Sequence, residues 1–264
     1  MNPLAKKYYE IGGDSNIQEV LFLCEEKNLD WSTILEKNPD IPRGWFELSR
    51  ITPEERIEFV SDSWANRLPF HPIAERAFSH FFSRLDDIAI VIVKRNADVF
   101  AEMVYSFADN RSFFRGLPPA VEEDVRMFKS EIGARVPFDY QSFLRLHNGF
   151  GKLSEIEIIP MEEVFAAREI VRKLVDDPAH AIDWQNHGVD PDSLIPFFED
   201  FGLNSFQCFF SDWYPYSDMG NVYLSGIHYT LSDTSDRSRW QEQLAFPNFL
   251  EWLAYYLEGM NVSK

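Results

Sequence analysis

The sequence is poor in cysteine and has no long apolar run. Its two cysteines, Cys24 and Cys208, lie far apart in the chain, so they suggest neither a disulfide framework nor a paired-cysteine metal site. No apolar run approaches the roughly 20 residues that a membrane-spanning helix needs, and the first residues lack the apolar core of a signal peptide. We therefore expect a globular, cytoplasmic protein that is not associated with a membrane.

Positive charge is also scarce. The chain has 25 Lys and Arg residues against 43 Asp and Glu residues, which gives a net charge of −18. Proteins that bind nucleic acid or an anionic lipid surface need an excess of basic side chains, so direct binding to either is disfavoured. Hydrophobic residues make up 45% of the 264 residues, which is enough apolar material for one large domain or two ordinary ones.

The scarcity of cations is greatest between Lys173 and Arg237, where neither Lys nor Arg occurs. Such a run is typical of a solvated face that keeps a protein soluble. A second interpretation is that the unscreened carboxylates steer a basic partner toward this part of the chain. The acids concerned are Asp176, Asp177, Asp183, Asp190, Asp192, Glu199, Asp200, Asp212, Asp218, Asp233 and Asp236.

The N-terminal part of the chain, residues 1–115, reads as helices followed by a strand pair. A capping-box pattern at Ser15 predicts a helix in which Cys24 is a buried apolar residue. Thr52-Pro53 and Pro72 predict the starts of two further helices. The uncharged, β-branched run 88–93 predicts a buried strand that turns into a second strand. We therefore expect a helical region with a β-hairpin, and a domain boundary near residue 116.

The remainder, residues 116–264, alternates helices with short strands. This arrangement predicts an α+β domain in which a mainly antiparallel sheet is flanked by helices. The predicted helices cover residues 117–133, a short segment after Pro137, 161–175 and 246–257. The predicted strands cover residues 156–160, 193–198, 205–210, 222–224 and 228–231.

One motif in this second part resembles a known family. The order Val136-Pro137-x-Asp139-Tyr140-x-x-Phe143-Leu144, then Asn148-Gly149, an Ile-Ile-Pro strand and a closing helix rich in Phe and Leu resembles the SUKH superfamily, the Smi/Knr-type domain. The resemblance covers about residues 117–258.

The residues of this motif suit a packing role better than a chemical one. A proline and an acid start the short helix, the aromatic rings anchor it in a core, and Asn-Gly supplies a tight turn. We interpret the following residues as determinants of the fold: Pro137, Tyr140, Phe143, Leu144, Asn148 and Gly149.

The resemblance implies a function. Members of this superfamily are commonly bacterial immunity proteins that neutralise toxin domains, and others are regulatory or scaffold domains for protein–protein interaction. It therefore implies a protein-binding module that is not an enzyme and has no cofactor. A toxin with a basic, nuclease-like domain would be a natural partner for the acidic stretch. The oligomeric state stays open.

Catalytic and metal-binding motifs are few. The sequence has no glycine-rich phosphate loop, no Gly-x-Ser-x-Gly turn and no His-Glu-x-x-His pair. The weak candidates for a metal site are His180, Asp183 and His187, because a helix would place them on one face. A solvated polar surface explains the same residues. A metal-dependent enzyme is therefore the less favoured alternative.

Large aromatic residues gather in the Pro-, Gly- and Ser-rich stretch 211–221. Trp213, Tyr214 and Tyr216 stand there between Asp212 and Asp218. One interpretation is a loop that folds back so that its tryptophan plugs the sheet. The other is an exposed aromatic anchor whose neighbouring acids select a cationic partner. On the second interpretation, the same surface would extend to three further residues of the acidic run, namely Trp184, Asp190 and Asp192.

Overall fold

A computed structural model describes residues 1–11, 13, 15–133, 136–153, 155–177, 183–184, 187–201, 203–226 and 230–259, with only the backbone of Asp183 and His187. The chain divides into two compact units. The first comprises Met1–Val121 and Ser142–Ile156, and the second comprises Glu122–Gln141 and Glu157–Lys264. The first segment of the first unit therefore ends a few residues after the expected boundary. Residues 142–156 also belong to the first unit.

The first unit combines helices with a five-stranded sheet. Its elements are α1 (Pro3–Glu10), β1 (Ile17–Phe22), α2 (Trp31–Lys37), α3 (Arg43–Leu48), α4 (Pro53–Arg67), α5 (Pro72–Ser83), β2 (Leu85–Arg95), β3 (Asp98–Phe107), β4 (Phe113–Gly116) and β5 (Phe150–Lys152). The sheet order is β1-β2-β3-β4-β5, with every neighbouring pair antiparallel. The predicted helices at Pro53 and Pro72 and the predicted hairpin, which is β2–β3, are confirmed.

The helix predicted behind Ser15 is wrong. Residues 17–22 form strand β1 instead, and Val20 lies opposite Val93 of β2. Ile, Val and Phe are strand-favouring residues, and pairing with a buried neighbouring strand outweighs a local helix-start signal. Cys24 follows this strand and is partly rather than fully buried.

The core of the first unit is aromatic and centres on Trp64 of α4. Its indole N–H donates to the Tyr105 hydroxyl at 3.3 Å, and that hydroxyl lies 2.6 Å from Nε2 of His147. Nδ1 of His147 donates to the Leu117 carbonyl at 2.9 Å, so Nε2 is the acceptor. Burial lowers the pKa of His147 to about 4. The rings that surround Trp64 are those of Phe78, Phe81, Phe82, Phe143 and Phe150.

A buried network of charged side chains lies on the opposite face of the same sheet. The Glu102 side chain is only 1% exposed and pairs with Arg95 at 2.6 Å and Arg115 at 2.8 Å. Tyr9 of α1 also donates to this carboxylate. Burial alone would raise the pKa of Glu102, but the two arginines outweigh it and hold the pKa below its usual value.

The second unit is the α+β part of the chain. Its elements are α6 (Glu122–Ile132), the start of α7 (Phe138–Leu144), α8 (Met161–Val175), β6 (Asp183–Trp184), β7 (His187–Gly188), β8 (Leu194–Asp200), β9 (Ser205–Phe210), β10 (Asn221–Ser225), β11 (Thr230–Leu231) and α9 (Phe249–Glu258). The predicted α8 matches its observed bounds. Helix α6 starts five residues later than expected, and Gly133 follows it with a φ of +86°.

The main sheet of the second unit has the order β11-β10-β9-β8 and is antiparallel throughout. The mainly antiparallel α+β fold expected from the sequence is confirmed. The strand predicted over 156–160 is reduced to a single bridge between Ile158 and Phe198. Of the strand predicted over 228–231, residues 230 and 231 form β11, and the rest lies outside the described residues.

Helix α9 closes this unit on an aromatic cluster. Phe197 of β8 stacks on Phe209 of β9 with ring centroids 4.2 Å apart, and Trp252 of α9 meets Phe197 edge-on at 4.8 Å. The side chain of Asn248 caps α9 by accepting from the Glu251 N–H at 2.8 Å. None of the helices within the described ranges combines the length and apolar character that crossing a bilayer demands.

Candidate functional site

Residues 211–220, here called the 211–220 loop, connect strands β9 and β10 in the second unit. Backbone hydrogen bonds close the base of this loop. The Phe210 N–H donates to the Gly220 carbonyl at 3.0 Å, and the Gly220 N–H donates to the Trp213 carbonyl at 2.9 Å. The loop is therefore held by its own backbone as well as by the two strands.

Trp213 folds back into the unit. Its side chain is 7% exposed, and its ring meets that of Trp240 edge-on with centroids 5.2 Å apart. Gly220 lies directly against the indole, since a Cβ atom at that position would come within 2.2 Å of Trp213 Cε3. This burial fits the interpretation in which the tryptophan plugs the sheet, and it leaves little of its surface for an exposed anchor.

The other members of the predicted surface point to solvent. Tyr214 is 52% exposed and Tyr216 is 50% exposed. Asp212 and Asp218 are exposed as well, and within the described residues neither carboxylate takes part in an ion pair. The loop thus presents two tyrosines and two unneutralised carboxylates on a base fixed by Trp213.

Trp184 lies partly buried near this loop. Its indole N–H donates to Thr234 Oγ1 at 2.9 Å, and its ring meets Phe210 edge-on at 4.8 Å. Since Phe210 is the residue just before the 211–220 loop, Trp184 supports the base of the loop. Its indole N–H, the one polar group of the side chain, is already hydrogen-bonded within the protein.

Asp190 and Asp192 have partners within the protein. The Asp190 carboxylate accepts from the Asp192 N–H at 2.9 Å in a local turn. The Asp192 carboxylate pairs with Arg172 at 2.6 Å and with Arg168 at 3.5 Å, and the bond to Arg172 lowers its pKa. Both arginines belong to α8, which precedes the cation-free stretch in the sequence. The surface is therefore less free of cations than the sequence suggests, because two arginines from outside the acidic stretch pair with Asp192.

Arg237 and Trp240 lie beside the 211–220 loop, and the sequence analysis did not single them out. The Arg237 guanidinium lies 4.8 Å from the ring centroid of Tyr216 and 5.8 Å from that of Trp240. The rings of Tyr216 and Trp240 are 6.3 Å apart. A cation–π pair between distant parts of the chain leaves no spacing signal in a sequence. The available clue was that Arg237 is the first cation after the acidic stretch.

The loop is linked electrostatically to the start of α9. Asp139 is partly buried, and the loss of solvent around its carboxyl raises the pKa of that group, which the negative charge of Asp218 raises further. Backbone N–H groups of Tyr140, Phe249 and Leu250 donate to Asp139 and oppose this rise. A positive charge brought to Asp218 would therefore also favour the ionised form of Asp139.

The weak metal candidates lie at the edge of the described structure. His180 is outside the described residues, and so are the side chains of Asp183 and His187, whose backbones form β6 and β7. Among the residues that the structure does describe, no group of three or more His, Cys, Asp or Glu side chains could hold a metal ion.

The motif residues contribute to both units. In the second unit, Pro137 precedes α7, and the buried Tyr140 packs on Phe197, Phe209 and Phe249. In the first unit, Phe143 packs on Trp64, and the Leu144 carbonyl accepts from Ala120. Asn148 donates its N–H to the Pro118 carbonyl, and Gly149 has a φ of +108°, which side-chain-bearing residues rarely adopt.

A cleft of about 440 Å³ lies in the first unit. Cys24 is in its wall, and burial raises the pKa of this thiol, which disfavours the reactive thiolate. Arg56 and Asp87 in the same wall are already paired with each other at 2.6 Å. These groups therefore supply neither an activated nucleophile nor an unpaired charge.

Comparison with known protein families identifies a match. A family model described as the SMI1 / KNR4 family (SUKH-1) matches residues 119–255, just over half of the chain. The matched range contains α6 to α8, most of α9, the four-stranded sheet and the 211–220 loop. Neither the comparison with curated proteins nor the comparison with solved structures finds a match.

Proposed function

Because the chain belongs to the SMI1 / KNR4 family (SUKH-1), we propose that it is a non-catalytic protein-binding module of the immunity type. This family is known in general for protein-binding roles, immunity among them. We propose further that the partner is a toxin domain with a basic surface, and that the 211–220 loop binds it.

The observation that carries this proposal is the composition of the exposed part of the loop. Tyr214 and Tyr216 are half exposed, and Asp212 and Asp218 flank them without ion-pair partners among the described residues. Tyrosine is among the side chains that most often dominate the energy of interfaces. The buried Trp213 holds the loop in place, which limits the entropy lost when a partner binds.

The charge of the whole chain supports a basic partner. A net charge of −18 steers positively charged surfaces toward the protein and raises the association rate at low ionic strength. At a nuclease-like toxin, the carboxylates of Asp212 and Asp218 would stand in the positions of substrate phosphates. Neutralisation then requires only that the active cleft is covered.

A pull-down with the tagged 264-residue chain from its native host, at low and at high salt, tests this proposal. We expect a basic partner that is retained at low salt, is lost at high salt, and has a toxic activity that the purified chain inhibits. Retention of only a salt-insensitive housekeeping assembly would contradict the immunity proposal and favour a scaffold or regulatory module.

A matched pair of variants tests the location of the surface. The double variant Asp212→Asn, Asp218→Asn removes two exposed charges from the loop, and Asp40→Asn, Asp124→Asn removes two exposed charges elsewhere. We expect the first to reduce the association rate with the identified partner several-fold at low salt and the second to change it little. Equal effects of the two variants would show that the overall charge, and not this loop, attracts the partner.

A further inference from the structure

The rings of Tyr216 and Trp240 form a cradle for a planar cation. They lie 6.3 Å apart at an interplanar angle of 77°, and Trp213 supports Trp240 from within the unit. The Trp240 indole N–H is fixed by donating to the Thr234 carbonyl at 3.1 Å. Arg237 occupies this cradle, with its guanidinium 4.8 Å from one ring centroid and 5.8 Å from the other.

Arg237 differs from its neighbour Arg239 in what balances its charge. Arg239 lies 3.8 Å from Glu242. Hydrogen bonds from Ser235 and Ser238 are the main cause of the lowered pKa values of Asp233 and Asp236, and the charge of Arg239 adds to the lowering. Arg237 takes part in no ion pair among the described residues, although it lies in an acidic part of the chain. Its guanidinium instead lies against the two aromatic rings, and its side chain is exposed.

These two observations point to an arginine-binding site. We propose that the Tyr216–Trp240 cradle binds an arginine side chain of the basic partner, and that Arg237 occupies the cradle as a placeholder until the partner arrives. The proposal rests on the proposed function, since it names the side chain that the loop recognises. The cradle already holds one guanidinium group, that of Arg237. A guanidinium group is planar and stacks on aromatic rings better than an ammonium group does.

Because the incoming arginine must displace Arg237, binding depends on the other basic groups that surround this arginine on the partner. Exchange of one guanidinium for another in the cradle gains little by itself. The gain comes from Asp212 and Asp218, which flank the ring-bearing residues in the loop and would meet further basic groups of the partner. An isolated cation therefore competes poorly with the tethered Arg237, whereas a basic surface displaces it.

The test uses the 264-residue chain and a small probe, Nα-acetyl-arginine amide, with Nα-acetyl-citrulline amide as the uncharged probe. Binding is followed by NMR through the indole N–H signal of Trp240 and the ring signals of Tyr216. We expect Arg237→Gln to bind the arginine probe about two- to tenfold more tightly than the unaltered chain, because the competitor is gone. Arg239→Gln removes the same charge two residues away and should bind like the unaltered chain.

Several results would overturn the proposal. An equal gain in Arg237→Gln and Arg239→Gln would show a general charge effect, and binding of the citrulline probe with the same affinity would show that the positive charge is irrelevant. Tyr216→Ala, which changes an exposed side chain, should abolish saturable binding, and unchanged binding would also overturn it. Because the probe experiment needs no partner, its failure is separate from a failure of the pull-down. If a basic toxin binds the unaltered chain but binds Arg237→Gln more weakly, the proposed function stands and the placeholder does not.

Discussion

The carboxylate of Asp139 accepts a hydrogen bond from the backbone N–H of Phe249, with Oδ2 and N 3.0 Å apart, although the two residues are separated by 110 positions. The same oxygen accepts from the Leu250 N–H at 3.2 Å, and Oδ1 accepts from Tyr140 at 2.9 Å. The acid of the short motif is thus a cap for the closing helix α9. Two pieces of the family resemblance, far apart in sequence, are one hydrogen-bonded unit in space.

Removal of this cap should destabilise the chain. We expect Asp139→Ala to lower the free energy of unfolding by about 1 kcal/mol, the usual loss for a helix cap. Asp139→Asn keeps one side-chain oxygen as an acceptor and should lose less. Urea denaturation at pH 7 measures both, and Asp124→Ala, which removes an exposed acid in α6, is the control. A loss in the control as large as that in Asp139→Ala would contradict the capping role.

His147 should make stability depend on pH. Its pKa is lowered by burial from an ordinary 6.5 to about 4. The folded state therefore resists protonation while the unfolded state accepts a proton, so the stabilising contribution is complete above pH 6.5 and is lost as pH falls from 6.5 to 4. The loss over this window is about 3 kcal/mol.

The measurement is the difference in unfolding free energy between the unaltered chain and His147→Gln at a series of pH values. This difference should shrink as the pH falls through the window, because the variant lacks the titrating group. His80→Gln removes an exposed histidine and is the control variant. A difference that stays constant with pH would contradict the role given to His147.

Glu102 should be essential because it balances two cations. Glu102→Gln leaves Arg95 and Arg115 without the charge that they share, and we expect a loss of about 3–5 kcal/mol in the free energy of unfolding. The control is Glu19→Gln, since Glu19 is 72% exposed in its pair with Lys94 and should matter by less than about 1 kcal/mol. Denaturation curves that put the two variants within error of each other would disprove the prediction.

Gly220 should set the position of the 211–220 loop. In Gly220→Ala the new Cβ would lie 2.2 Å from the Trp213 indole, so the ring has to move. We expect a changed tryptophan fluorescence and weaker partner binding, with a loss of about 1–3 kcal/mol in stability from overpacking. Gly44→Ala in α3, where a Cβ meets nothing within 4 Å, is the control and should stabilise the helix slightly. Unchanged fluorescence in Gly220→Ala would show that Trp213 does not depend on this glycine.

Elements with local signals were predictable from the sequence. The Thr52 side chain accepts from the Glu55 N–H, and the Glu55 side chain accepts from the Thr52 N–H. Four adjacent residues therefore determine the start of α4. Strands β4 and β5 were not predicted, because each is short and depends on pairing with its neighbours: β4 pairs with β3 and β5, and β5 pairs with β4, as at Phe114 and Lys152. A strand of three or four residues has no period long enough to detect.

The candidate surface was predictable in composition and not in exposure. The sequence places Trp213, Tyr214 and Tyr216 together, but only the packing against Trp240 and Gly220 separates the buried ring from the two exposed ones. The pairing of Asp192 with Arg172 was equally invisible, since it joins residues 20 positions apart across a helix end. Such contacts depend on the fold and have no local pattern.

The discontinuous first unit has a consequence for synthesis on the ribosome. Strands β2 to β4 leave the ribosome well before β5, so the edge of β4 stays unpaired until residues 150–152 have emerged. In the second unit, the carboxylate of Asp139 has no helix to cap until Phe249 and Leu250 are made, 110 and 111 residues later. A nascent chain of this kind keeps apolar surface and an open strand edge uncovered while the intervening residues are made. Its yield in the cell should therefore depend strongly on chaperones and on the speed of the ribosome between the codons for Asp139 and Leu250.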